Sequence, residues 1–184
     1  MTVRHVVAAV VVWLLAAPVA AQTDVTLPST SLNTTLTASV SEQAMVSVPA
    51  GVTFNVTNVS SATASGTQTI QVQNIVLGTA TKQLTIALMA NAASFTPPEA
   101  GATTWSAGDV SWSAPASGPN AWVNATRNNA TLSSSAFVLA ATCNQDVSSC
   151  STTGFSFSLA AKNTVKRSGA HTLVVTWKFE SIGS

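Results

Sequence analysis

The residues able to carry chemistry are few and widely spaced. Cys143 and Cys150 flank a polar run, Asn-Gln-Asp-Val-Ser-Ser. In an oxidising compartment that pair is expected to close as a disulfide, and so tight a loop stabilises by about 2.5 kcal/mol in the chain-entropy picture. Zinc would need further ligands, yet beyond the first twenty-one residues only His171 remains and there is no second cysteine pair. No metal site is expected. The acids Asp24, Glu42, Glu99, Asp109, Asp146 and Glu180 stand singly, whereas glycoside hydrolysis sets two carboxyls across one bond. Glu99 with Asp109 comes nearest to such a pair, and both sit in turn-like segments. No Gly-x-Ser-x-Gly elbow or His-Glu-x-x-His helix occurs, and no acidic cluster offers calcium its oxygens. His171 heads the final strand in phase with Leu173, where packing explains it. The expectation is a protein that is not an enzyme and needs no cofactor.

The tryptophans are the sharper lead. Trp105, Trp112 and Trp122 fall within one polar, loop-rich stretch between Ala93 and Asn129. An exposed indole offers a flat apolar surface and one donor, on which a sugar can stack. Asp109, Asn120 and Asn124 stand close in sequence to orient such a ligand. Val110, Trp112 and Ala114 also alternate like the inner face of a strand, which would make the same rings core. Both readings stand at this level: a candidate ligand platform of Trp105, Trp112 and Trp122, or packing. Trp177 belongs to the core.

These residues must be positioned by a chain of 184 residues with 7% charged side chains and a formal charge of +1. So little charge excludes an electrostatic nucleic-acid binder. Ser and Thr make up roughly a quarter of the chain, far above ordinary usage, and Tyr is absent. Arg4 and His5 precede an apolar run from Val6 to Ala17, then Pro18 and the small residues Val19-Ala20-Ala21. That order describes a secretory signal peptide over residues 1–21, cleaved between Ala21 and Gln22. The run is too short to span a bilayer, so no stable membrane span is expected and the product is secreted, periplasmic or at the cell surface. Residues 22–31 read as a flexible leader or as an arm donated to another subunit's sheet. Residues 32–184 read as a single domain.

Within that domain the apolar period is two. Leu173, Val175, Trp177 and Phe179 share a face, as do Leu84, Ile86 and Leu88, then Phe155, Phe157 and Leu159, then Val52, Phe54 and Val56. Phe137, Leu139 and Ala141 lead in phase to Cys143. Between Ile70 and Leu77 the phase changes, which predicts a bulge at Asn74. A first strand is expected around Leu36 to Val40, and residues 60–69 are expected to form a mobile loop. Turn signals such as Pro49-Ala50-Gly51 and Ser117-Gly118-Pro119-Asn120 separate the runs. The fold class is therefore all-β, a β-sandwich of immunoglobulin-like or jelly-roll type. Asn-x-Ser/Thr sequons stand at Asn33, Asn55, Asn58, Asn124 and Asn129, open to glycosylation in a host with that machinery.

The closing stretch Arg167-Ser168-Gly169-Ala170-His171-Thr172-Leu173-Val174-Val175-Thr176-Trp177-Lys178 resembles the last strand of bacterial secreted immunoglobulin-like β-sandwiches of surface-filament, pilin or spore-coat type. The Ser/Thr/Ala-rich, charge-poor composition is similar too. A typical pilin disulfide spans a longer loop near the N-terminus, and here the sequence departs from that pattern. The resemblance implies a structural or adhesive role without cofactors. Two functions are carried forward. One is an exported component of a cell surface, envelope or matrix, assembling with itself or with other envelope proteins by strand addition. The other is a carbohydrate-binding module with a glycan as partner.

Overall fold

The computed structural model describes residues 34–183. The expected signal peptide, its cleavage point between Ala21 and Gln22, the 22–31 arm and the Asn33 sequon lie outside the described residues. Residues 39–184 form one compact unit. That unit is all-β.

Ten strands run in the order β1 (Gln43–Ser47), β2 (Thr63–Ala64), β3 (Gln68–Val76), β4 (Gln83–Ala90), β5 (Val110–Ser113), β6 (Ala125–Arg127), β7 (Ala130–Thr131), β8 (Val138–Cys143), β9 (Thr152–Leu159) and β10 (Val175–Ile182). One sheet has the order β1-β3-β9-β5-β7, with β2 added against β9; the other is β10-β4-β8-β6. Every pairing is antiparallel. From β3 onward each strand lies in the opposite sheet from the one before it. The inner faces meet in one core, a β-sandwich.

Alternation sets which residues that core receives. Leu84, Ile86, Leu88 and Ala90 point inward from β4, and their neighbours are half-buried. Phe155, Phe157 and Leu159 do the same from β9, and Val110 and Trp112 from β5. Leu173, Val175, Trp177 and Phe179 pack half-buried against them, while Thr176 and Glu180 face solvent. The phase change in β3 is a bulge. Gln43 pairs with Val76 and Met45 with Gln73, so β3 carries one extra residue, and Asn74 takes a left-handed φ of 51°.

Four expectations from the sequence need correction. Residues 36–40 form no strand; Leu36 and Val40 are 90% and 74% exposed and so have no apolar face to bury. Residues 60–69 are not simply a loop, because Thr63 and Ala64 pair with Leu159 and Ser158, and Ser65 exchanges hydrogen bonds with the backbone of Phe157. The row from Phe137 to Cys143 splits. Ile86 pairs with Ala141 but Ala87 with Leu139, so the extra residue buries both Ala140 and Ala141 and turns Phe137 and Leu139 outward. The Lys178 ammonium sits 5.7 Å over the Phe137 ring on that outer face. Lastly, the Val52–Val56 run keeps its alternation, with Val52, Phe54 and Val56 half-buried and Thr53 and Asn55 exposed, yet it pairs with no strand.

The Cys143–Cys150 disulfide forms as expected. Cys143 ends β8 in one sheet; Cys150 donates its N–H to Val72 of β3 in the other. Both are buried, so the bond ties sheet to sheet. Replacing both cysteines with serine is expected to lower unfolding free energy by about 2.5 kcal/mol, read from urea midpoints against the oxidised chain.

Candidate functional site

The unpaired run from Val52 to Val56 forms one wall of an apolar groove. The facing wall is the chain from Arg167 to Val175, continued by Trp177 of β10, and the floor comes from Trp105, Val110, Leu132, Phe157 and Leu159. The cavity is about 1020 Å³. The two walls differ in pairing: the 52–56 run joins no strand, whereas the facing chain is tied on one side, Thr172 to Thr96 and Val174 to Asn91. Among the described residues, the run 51–55 forms no backbone hydrogen bond with any strand, and β10, last in its sheet, has an outer edge with no strand beside it. Pro49 and Gly51 begin the wall, a turn that releases the chain from β1 before the run crosses the open side.

One end of the groove is held by a polar cluster. His171 Nε2 lies 3.2 Å from the Arg167 carbonyl and donates to it, since a carbonyl only accepts. In the neutral ring Nδ1 then accepts from the Thr104 hydroxyl at 2.7 Å. The imidazole stands edge-on to Trp105 at 5.2 Å between centroids. Every polar atom of the ring has a partner, and no carboxylate is among them. Here His171 joins two loops.

The acids are likewise committed. The Glu99 carboxylate accepts from Arg167 Nε at 2.6 Å. Asp109 Oδ2 accepts from Lys162 Nζ at 2.7 Å, from the Ser106 N–H at 2.7 Å and from its hydroxyl at 2.9 Å. Glu99 and Asp109 are thus engaged by different cations and make no acid pair across a shared space. Burial pushes the Asp109 carboxyl up, but Lys162 and the two Ser106 donors outweigh that and hold it below the ordinary carboxylate value. Glu42 is held below its ordinary value by the Lys82 ammonium and the Gly78 N–H. Among the described residues no group of three or more His, Cys, Asp or Glu side chains converges on a point that could hold a metal.

The tryptophan platform is not present. Trp105, Trp112 and Trp122 are 4%, 3% and 6% exposed. For two of them, loop carbonyls take up the indole proton: Trp105 Nε1 donates to Ala160 and Trp112 Nε1 to Asn128, each at 2.9 Å. Trp122 packs edge-on against Phe155 at 5.8 Å. Only Trp105 reaches the groove, as floor. The rings are core, and no face remains for a sugar. What the alternation did not reveal is the groove itself, because side-chain period reports which face is apolar and carries nothing about whether the backbone has a neighbour.

Comparison with protein-family models, curated proteins and solved structures finds no match.

Two outcomes follow from burial and charge. Trp112→Ala is expected to cost about 3–5 kcal/mol of stability through the cavity it leaves, measured by denaturant unfolding, with wild-type indoles little quenched by iodide. For Asp109, the lowered folded pKa means the carboxylate stabilises above the unfolded value and that contribution fades as pH falls through the folded one. Melting temperatures of wild type and Asp109→Asn should accordingly differ at neutral pH and converge below about pH 4.

Proposed function

We propose that this chain is a non-enzymatic, exported structural or adhesive component of a cell surface, envelope or matrix, joining copies by strand addition. The observation that carries the reading is the open groove between the unpaired run 51–56 and the free edge of β10. An apolar trough of this size, between an unpaired run and a chain that is paired on one side only, leaves room for one more strand. An extended segment with alternating apolar side chains would fill the trough. Its own N–H and C=O groups would meet those of both walls, as in other cases of recognition by strand addition. Apolar surface removed from water contributes roughly 25 cal/mol per Å².

Three further features support the same reading. The closing stretch Arg167–Lys178 is similar to the last strand of surface-filament, pilin and spore-coat sandwiches, and the groove lies along it. A disulfide and a signal-peptide-like start fit an oxidising, extracytoplasmic place; among the described residues no helix is long and apolar enough to cross a membrane. The surface carries little charge, so like copies approach with little repulsion.

The test is the mass of the secreted, oxidised protein by light scattering after size exclusion, with negative-stain images of the same sample. Oligomers or filaments are expected from the wild type, and monomers from a chain lacking residues 22–40. A wild type that stays monomeric at high concentration overturns the proposal.

A further inference from the structure

Resting on that reading of the groove, we infer that the strand inserted into it is Leu32–Val40 of a second copy of this chain, and not the 22–31 arm. The inserted segment would lie between the 51–56 run and β10, so it must act as a central strand and pair on both sides. Proline lacks the N–H a central strand needs and is confined to edges and bulges. Pro28 stands inside 22–31, where only Val25 and Leu27 alternate. Leu32–Val40 has neither proline nor glycine. Its odd half is Asn33, Thr35, Thr37 and Ser39, all polar, and its even half is Leu32, Thr34, Leu36, Ala38 and Val40. That is the pattern of a strand with one face in a core and one in water. It bears no charge, so seating it buries none.

The described part of the segment is unpaired. Leu36 and Val40 are the most exposed of the large hydrophobic side chains, at 90% and 74%, and neither belongs to a strand. Nine residues at about 3.3 Å each span roughly 30 Å, enough to run along the groove wall from Arg167 to Val175, itself nine residues. The choice of a second copy over the chain's own groove follows from how the segment ends. Glu42 is fixed by the Gly78 N–H at 2.6 Å and Lys82 Nζ at 2.7 Å, and Gln43 is paired with Val76. Pro49, where the groove wall begins, lies at the far end of β1, roughly 20 Å of strand away. To lie in its own groove the segment would have to double back within Ser41 alone.

Leu36→Asp in the otherwise intact secreted chain tests this. Its exposure means the variant should keep the wild-type far-UV spectrum and its disulfide, yet run as a monomer where wild type assembles. A synthetic peptide of residues 32–40 should then raise the melting temperature of the variant by about 5 °C or more at saturation, and a peptide of residues 22–31 should leave it unchanged. Assembly of Leu36→Asp at wild-type levels, or rescue by the 22–31 peptide instead, would overturn the donor assignment while the groove reading survives. A monomeric wild type that neither peptide stabilises would remove both.

Discussion

Phe155 has no solvent exposure and touches three other aromatic rings: Phe157 at 5.1 Å, Trp177 of β10 at 5.6 Å and Trp122 at 5.8 Å. It stands on β9, the strand that pairs with β2, β3 and β5 and so organises its whole sheet. Trp177 belongs to the other sheet, so this ring contact is where the two layers meet. The opposite face of β9 is equally constrained. A Cβ on Gly154 would come within 2.6 Å of the Asn120 carbonyl and 2.8 Å of Pro115, so that close approach needs glycine. Thr152 reinforces the same lid by donating its hydroxyl to the Asn120 carbonyl. With both faces covered, β9 cannot slide by a residue without driving an aromatic into a loop.

The electrostatic design follows from having so little charge to place. Among the described residues four ion pairs, Lys82–Glu42, Lys162–Asp109, Arg167–Glu99 and Lys178–Glu180, take up four of the acids. Each is partly exposed, and such pairs contribute modestly to stability. Their placement is more informative than their strength. Lys162–Asp109 links the turn before β5 to the chain after β9, beside the groove floor, and Arg167–Glu99 links the two loops that His171 also joins. Two of the four pairs thus fasten loops beside the groove.

How much of this the sequence disclosed depends on which physical quantity each feature expresses. Period two identified the inner faces of β4, β5, β9 and β10 because burial of alternate side chains is a local property. The β3 bulge was legible from the phase break at Asn74. The matching irregularity in β8 was not, since Phe137, Leu139, Ala141 and Cys143 are in perfect phase and the extra residue shows only against Ile86 and Ala87 of the partner strand. The tryptophans were ambiguous for a similar reason. Polar neighbours mark a loop, and only the fold decides whether loop carbonyls such as those of Ala160 and Asn128 lie over an indole. Pairing is non-local, so a run such as Val52–Val56 reads as a strand whether or not anything lies beside it.

The alternation of successive strands between sheets has a kinetic side. No strand from β3 to β10 is the hairpin partner of its neighbour in sequence, so no ladder closes by a short turn and the entropy of long loops must be met before pairing rewards it. Chains dominated by such pairings fold on the order of milliseconds to seconds, much more slowly than helical ones. Throughout that interval apolar strands wait with open edges and almost no charge to keep them apart. The Cys143–Cys150 link is the exception, a covalent crossing between sheets whose thiols are only seven residues apart. A loop of that size closes in tens of nanoseconds by the usual scale for about ten residues, leaving oxidation itself as the slow step. Once oxidised, it holds the end of β8 beside the start of β9 in every remaining conformation of the chain.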